Sequence, residues 1–200
     1  MPATTTPSHT MNPAKRILFL GYSREETRLI AALEARGCEV THCADKLTDF
    51  SGYELIVSFG YRHIIRGEAI RKAGAPIINL HISLLPWNRG AHPNYWAFVD
   101  GTPHGVSIHL IDEGIDTGPI LFQREVSFDA AENTFALTHK RLVAEIEALF
   151  IAHLDDMLLR PLEPRAQTGQ GSLHKLADLP KDFPGWDTRI DAYLKDLGPQ

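Results

Sequence analysis

The chain has 200 residues, 44% hydrophobic and 22% charged, with a formal net charge of −5. That length fits one globular domain with a short appendage, able to bury about 70% of the surface its unfolded form exposes. Net acidity without clustered Lys and Arg excludes a large nucleic-acid footprint, which requires many phosphate contacts; a small basic pocket for one phosphorylated substrate stays open.

Residues 1–15 are rich in Pro, Thr and Ser and have no apolar signal-peptide core, so they read as a disordered leader, with Met11 as an alternative start. No apolar run approaches the about 20 residues of a membrane span. Cys38 and Cys43 lack a CxxC spacing and read as free thiols of a reducing compartment, so a cytoplasmic protein is expected.

The run Ile17-Leu18-Phe19-Leu20, stopped by Gly21, has the unbroken apolar character of a buried parallel strand. Ser23 is placed to cap a following helix with Glu25 and Glu26 in its first turn, Leu29, Ile30 and Leu33 as its apolar stripe, and Gly37 as its end. Residues 39–42 read as a second strand and residues 55–57 as a third, with residues 59–61 as its exit loop. A short helix over residues 68–72 leads to a fourth strand, Ile77-Ile78-Asn79-Leu80. This alternation predicts an α/β fold with a doubly wound, mainly parallel sheet and right-handed crossovers.

Residues 81–93 hold two or more breakers and few periodic apolar positions, which marks a functional loop or a disordered one. A compact helix is expected over residues 95–99. Residues 106–110 alternate cleanly, residues 120–126 resemble them, and a Gly-rich turn joins the two, so an antiparallel edge follows. Residues 132–158 read as one long amphipathic helix with Leu137, Leu142, Ile146, Leu149 and Phe150 on its apolar side. Beyond Pro161 the chain is Pro/Gly-punctuated and weakly patterned. The expected division is a leader at 1–15, a catalytic domain at 16–160 and a short extension at 161–200.

In open parallel sheets, ligands bind beyond the carboxyl ends of the strands. Three loops should meet there, at residues 59–65, 79–93 and 112–119. Asn79 and His81 are two apart, so an extended chain points both side chains one way. Asp116 sits in the flexible turn Gly114-Ile115-Asp116-Thr117-Gly118, which can bend a carboxylate towards them. An amide N–H for an oxyanion, an imidazole and a carboxylate suit acyl transfer to an amine. The same residues also read as strand-end polar groups that satisfy loop backbone. The histidines His81, His92, His104 and His109 show no H-E-x-x-H or paired helical spacing, so no metal is expected. His109 reads as a hydrogen-bonding partner behind the Asp loop.

The run Asn79-Leu80-His81-Ile82-Ser83-Leu84-Leu85-Pro86-Trp87-Asn88-Arg89-Gly90 resembles the signature N-x-H-x-S-L-L-P-x-x-R-G of the 10-formyltetrahydrofolate-dependent formyltransferases. The segment Ile111-Asp112-Glu113-Gly114-Ile115-Asp116-Thr117-Gly118-Pro119-Ile120 resembles their second signature. The resemblance runs from Arg16 to Val126, more weakly to Phe150. It implies a Rossmann-like formyltransferase fold and places the family's catalytic Asn, His and Asp on Asn79, His81 and Asp116. It implies direct attack of an amine on the formyl carbon, with 10-formyltetrahydrofolate as cosubstrate and no metal. The pterin pocket it implies involves His63, Ile64, Ile65, Leu85, Ile111, Gly114 and Ile115. The isoleucines read equally as core, and His63 equally as a solvated loop residue. On the acceptor side, Trp87, Arg89 and Tyr61 are the candidates.

The chain leaves little room for the C-terminal tRNA domain of methionyl-tRNA formyltransferases or the regulatory domain of formyltetrahydrofolate hydrolases. The turn Gly21-Tyr22-Ser23-Arg24-Glu25-Glu26 is a poor phosphate cradle for a glycinamide-ribonucleotide-like enzyme. The loop over residues 85–94 resembles that of the small sugar N-formyltransferases, which implies a nucleotide-linked amino sugar as partner. The alternatives are a formyltransferase for a non-sugar amine and a non-catalytic folate- or nucleotide-binding module. A homodimer is left open.

Overall fold

The computed structural model describes residues 14–198; the expected leader lies outside them apart from Ala14 and Lys15. The strands are β1 (Arg16–Gly21), β2 (Glu39–Cys43), β3 (Leu55–Phe59), β4 (Ile77–His81), β5 (Arg89–Gly90), β6 (Gly105–Leu110), β7 (Ile120–Glu125) and β8 (Leu173–His174). The helices are α1 (Leu29–Ala35), α2 (Gly67–Lys72), α3 (Pro93–Val99), α4 (Phe135–Ala152), α5 (Leu154–Leu159) and α6 (Ile190–Leu197), with a 3₁₀ turn at Leu176–Asp178. Six strands form one sheet in the order β2-β1-β3-β4-β6-β7. The pairs among β1 to β4 are parallel, whereas β6 runs antiparallel to both β4 and β7. The doubly wound sheet with an antiparallel edge is therefore the observed architecture.

Strand periodicity distributes the core between the two faces of the sheet. Ile17, Phe19 and Val57 pack with α1, α4 and α5 through Leu33, Ile146, Phe150 and Leu154. Leu18, Leu20 and Ile56 point the other way and meet Phe50, Ile65 and Ile77. Because β1 and β3 are covered on both faces, their sequences carry no polar alternation. No helix among the described residues is long and apolar enough to cross a membrane.

The structure departs from the expected elements in three places. The first helix begins at Leu29 rather than after Ser23. Ser23 instead closes a turn: its N–H donates to Glu26 Oε2 at 2.8 Å and its hydroxyl to Glu25 Oε2 at 2.7 Å. The helix start is set by Thr27, whose hydroxyl accepts from the Leu29 N–H at 3.3 Å and donates to the buried carboxylate of Glu147 on α4 at 2.5 Å. A tertiary contact thus overrides a plausible local cap.

The single helix expected over residues 132–158 is two helices. Thr134 caps α4 by accepting the Leu137 N–H at 3.2 Å. At its other end His153 leaves helical geometry, and α5 continues from Leu154. The His153 ring stacks on Phe122 of β7 at 3.9 Å, which holds the break in place. Leu137 proves exposed, while Leu142, Ile146, Leu149 and Phe150 are buried.

The weakly patterned tail folds back over the carboxyl ends of the strands. β8 pairs in parallel with β5, inside the loop that follows β4. His174 stacks flat on Trp96 at 4.0 Å and pairs with Asp100 at 2.8 Å. Ile190 of α6, Phe183 and Tyr193 complete a third apolar cluster around Tyr95 and Phe135. A polar-looking segment is anchored because Leu179, Phe183, Ile190, Tyr193 and Leu194 pack around Tyr95 and Phe135, while Leu173, Leu176 and Leu197 stay exposed.

Candidate active site

The end of β4 carries Asn79 and His81 on one side, and residues 112–118 bring Asp116 against them. Asn79 Nδ2 donates to Asp116 Oδ1 at 3.2 Å, and His81 Nδ1 lies 3.6 Å from Asp116 Oδ2. His109, directly opposite Asn79 in the β4–β6 register, places Nε2 3.4 Å from Asp116 Oδ1. The Gly90 N–H donates to Asp116 Oδ2 at 2.8 Å. Both carboxylate oxygens are thus engaged from several elements.

Burial pushes the Asp116 carboxyl up, but His81, the His109 ring and the Gly90 N–H more than offset this and hold it well below the usual carboxylate range. His81 is buried, and its Nε2 faces the Asn88 carbonyl at 3.0 Å. Both of its ring nitrogens therefore face oxygen atoms. His109 Nδ1–H donates to its neighbouring carbonyl on Leu110 at 2.8 Å, and its Nε2 lies 3.3 Å from Asn79 Nδ2 and 3.4 Å from Asp116 Oδ1.

Among the described residues, three non-glycine residues adopt left-handed backbone, and all lie in these loops: Asn88 (φ 55°), His92 (φ 53°) and Asp116 (φ 50°). Such conformations cost about 1–3 kcal/mol each and persist where the surroundings over-determine them. Asn88 is fully buried and tied down by Thr102 at 2.7 Å and by Ser172 at 3.1 Å. Gly90 (φ 85°) lies so close to the chain that a Cβ there would strike the His174 carbonyl.

Two cavities meet at this cluster. The first, about 150 Å³, has His63, Ile64, Ile65, Ile111, Gly114 and Ile115 in its walls. Ile64 is 75% exposed and Ile115 47%, apolar side chains left uncovered at the cavity mouth. The Ile111 N–H is committed to the Ile77 carbonyl at 2.7 Å and is not free for a ligand. The second cavity, about 270 Å³, is bounded by Tyr22, His81, Gly90 and His139. Tyr61, Asn79 and Asp116 line both, so they form the wall between them.

A third, larger cleft of about 440 Å³ opens from the second through Ile82, Pro93 and His139 and is walled by Tyr95, Phe135 and Trp186. Leu85, Trp87 and Arg89 lie outside the walls of all three. Leu85 is buried with its N–H on Ser107 Oγ, and the Arg89 guanidinium is held by Gln167. Among the described residues, no group of three or more His, Cys, Asp or Glu is arranged to hold a metal ion.

Sequence reasoning missed His139, Trp186 and Gln167. His139 lies four residues after Phe135 and three before Leu142 on α4, exposed at the wall of the cleft, and that helical spacing was its only signal. Desolvation pushes its imidazole pKa down. Trp186 and Gln167 gave none, because their relation to the site depends on the tail folding back.

The family model for formyl transferases matches residues 6–153. The chain belongs to the formyl transferase family. It is 40% identical over 118 residues to a methionyl-tRNA formyltransferase from Thermodesulfovibrio yellowstonii, covering 58% of this chain but 38% of that protein. It is 31% identical over 191 residues to a GDP-perosamine N-formyltransferase from Brucella melitensis biotype 1, covering 87% of this chain and 71% of the relative. Among solved structures, the formyltransferase PseJ from Anoxybacillus kamchatkensis superposes with a TM-score of 0.79 at 41% identity. The match covers 88% of this formyl transferase and 96% of PseJ, whose structure is a complex with UDP-4,6-dideoxy-4-formamido-L-AltNAc and tetrahydrofolate.

Proposed function

We propose that this formyl transferase moves a formyl group from 10-formyltetrahydrofolate to the primary amine of a nucleotide-linked amino sugar. The observation that carries this reading is the wall shared by two cavities, in which Asn79 and Asp116 face both. The donor's pterin fits the first cavity, between Ile64, Ile65, Ile111 and Ile115, with His63 at the mouth. The acceptor amine enters the second, and the rest of the acceptor extends past His139 towards Trp186. The similarity to PseJ, which spans nearly the whole of that enzyme, supports the sugar-nucleotide class over the tRNA class.

The reaction is a direct transfer. The amine nitrogen attacks the formyl carbon on N10, and the carbonyl π electrons move to oxygen. Asn79 Nδ2–H and the His81 ring stabilise the resulting oxyanion, an effect worth about 3–4 kcal/mol per donor where donors of this kind have been removed. The carbon–N10 bond then breaks, and the proton lost by the amine passes by way of Asp116 to N10. Asp116 is ionised at neutral pH, as a proton acceptor must be. We assign the catalytic chemistry to residues 16–160 and read residues 161–200 as a short C-terminal extension, of which residues 165–174 brace the loops.

The test is turnover of purified protein with 10-formyltetrahydrofolate and a panel of nucleotide-linked amino sugars, followed by product mass. A formylated sugar nucleotide is the expected result. Formylation of a non-sugar amine alone, or tetrahydrofolate release without any acceptor, would overturn the acceptor assignment. Absence of donor binding would overturn the reading altogether.

A further inference from the structure

Gln167 lies in the tail, far in sequence from both signature runs, yet its side chain makes four hydrogen bonds to them. Its Nε2 donates one hydrogen to the Asp116 carbonyl at 2.7 Å and the other to the Gly118 carbonyl at 2.8 Å. Its Oε1 accepts from Arg89 Nε at 3.1 Å and from Arg89 Nη2 at 3.0 Å. Two amide hydrogens and two lone pairs are all used. The orientation is unambiguous, since two carbonyls on one side and a guanidinium on the other accept the amide only this way round.

The consequence reaches the carboxylate by two routes. Gln167 holds the backbone of Asp116, a residue in left-handed conformation that needs support from its surroundings. It also holds Arg89, whose neighbour Gly90 donates its N–H to Asp116 Oδ2. The same short stretch of tail fixes β5 from the other side: the Arg89 N–H donates to the Ser172 carbonyl at 3.0 Å and the Ala91 N–H to the His174 carbonyl at 2.9 Å.

We infer that Gln167 is a positioning residue, an amide clasp that locks the Asp116 turn to the Arg89–Gly90 strand and so sets the catalytic carboxylate in its working geometry. The inference rests on the formyl-transfer reading of Asp116 given above. Only a neutral amide of this length performs the task. A carboxylate cannot donate to the two carbonyls, and a thioether of the same size makes none of the four bonds.

The experiment compares wild type with Gln167→Met and Gln167→Glu in the full chain, under conditions where wild type turns over. Both variants should lose about tenfold to a hundredfold in kcat, as expected for a small displacement of a reacting group. Tetrahydrofolate affinity, measured by calorimetry, should stay within about threefold of wild type, as should KM for the acceptor. A packing role predicts instead that the isosteric Met keeps kcat. The inference is overturned if either variant turns over at the wild-type rate, or if donor affinity collapses together with turnover. Inactive wild type would count against the formyl-transfer reading itself, and is distinguished by being independent of residue 167.

Discussion

Asn79 and His109 stand directly opposite each other across the β4–β6 pair, and both reach the same oxygen of Asp116, at 3.2 and 3.4 Å. The site therefore lies where the sheet changes from parallel to antiparallel. A parallel neighbour at this position would have carried its loop to the same end from the other side, and would have needed a long crossover to do it. The antiparallel strand instead runs from the carboxyl end of β4, where Ser107 faces His81, towards its amino end, where Leu110 faces Ile78, and the connection that follows folds Asp116 back against Asn79 and His81.

Replacing Asp116 by Asn keeps the size of the side chain and its tolerance of left-handed backbone, but removes the charge. Formyl transfer should fall by about 10²–10⁴-fold, the range for loss of a proton-transfer group. Tetrahydrofolate should still bind within a few-fold. Steady-state kinetics with product mass and a calorimetric titration measure the two; unimpaired turnover would refute the proton role.

The depressed Asp116 pKa also makes a statement about stability. A carboxyl whose folded value lies below its unfolded value of about 3.9 stabilises the fold above that pH, and the contribution is lost as pH falls through the folded value. The melting temperature of wild type should exceed that of Asp116→Asn by a constant margin above about pH 5. The margin should narrow below about pH 4. Thermal melts at several pH values decide this, and a margin that widens on acidification would contradict it.

Trp186 borders the cleft that continues from the cavity of Tyr22, His81 and His139 and is 42% exposed beside His92, with ring centroids 5.3 Å apart. An aromatic wall of this kind contributes about 0.5–1.5 kcal/mol to a stacked partner. Trp186→Ala should raise the acceptor KM by about twofold to tenfold while leaving the KM for 10-formyltetrahydrofolate unchanged. Equal effects on both substrates would place the acceptor elsewhere.

Glu147 is a buried carboxylate that accepts from Thr27 and pairs with Arg28 Nε at 3.0 Å, joining α4 to the start of α1. Glu147→Leu should destabilise the protein by about 1–3 kcal/mol, because the Thr27 hydroxyl and the Arg28 N–H lose their acceptor. Glu147→Gln, which keeps an acceptor oxygen, should lose less. Urea unfolding followed by circular dichroism would show this, and equal losses would mean that packing rather than the polar contact is responsible.

What was legible in the sequence was whatever depends on local periodicity and on residues close together in the chain. The apolar runs of β1, β3 and β4, the alternation of β6 and the spacing of Asn79 and His81 all express the two-residue repeat of an extended chain, which needs no tertiary information. The two signature runs marked Asp116 as the third member of the cluster. Where a local preference competed with a distant contact, the distant contact prevailed. Ser23 was a reasonable cap, yet the buried carboxylate of Glu147 moved the start of α1 to Leu29. His153 broke the long helix because it stacks on Phe122, a residue 31 positions earlier in the sequence.

Only the tertiary structure decided the tail and the acceptor side. Residues 161–198 have little periodicity because their order comes from single residues fitting separate pockets: Ile190 against Phe135, His174 on Trp96, Gln167 between Asp116 and Arg89. Leu85, Trp87 and Arg89 sit inside a signature run, yet the folded loop turns them away from the cavities and leaves His139 and Trp186 facing the cleft. A motif specifies which residues occur, and the direction in which an irregular loop points each of them is set by the chain that packs against it.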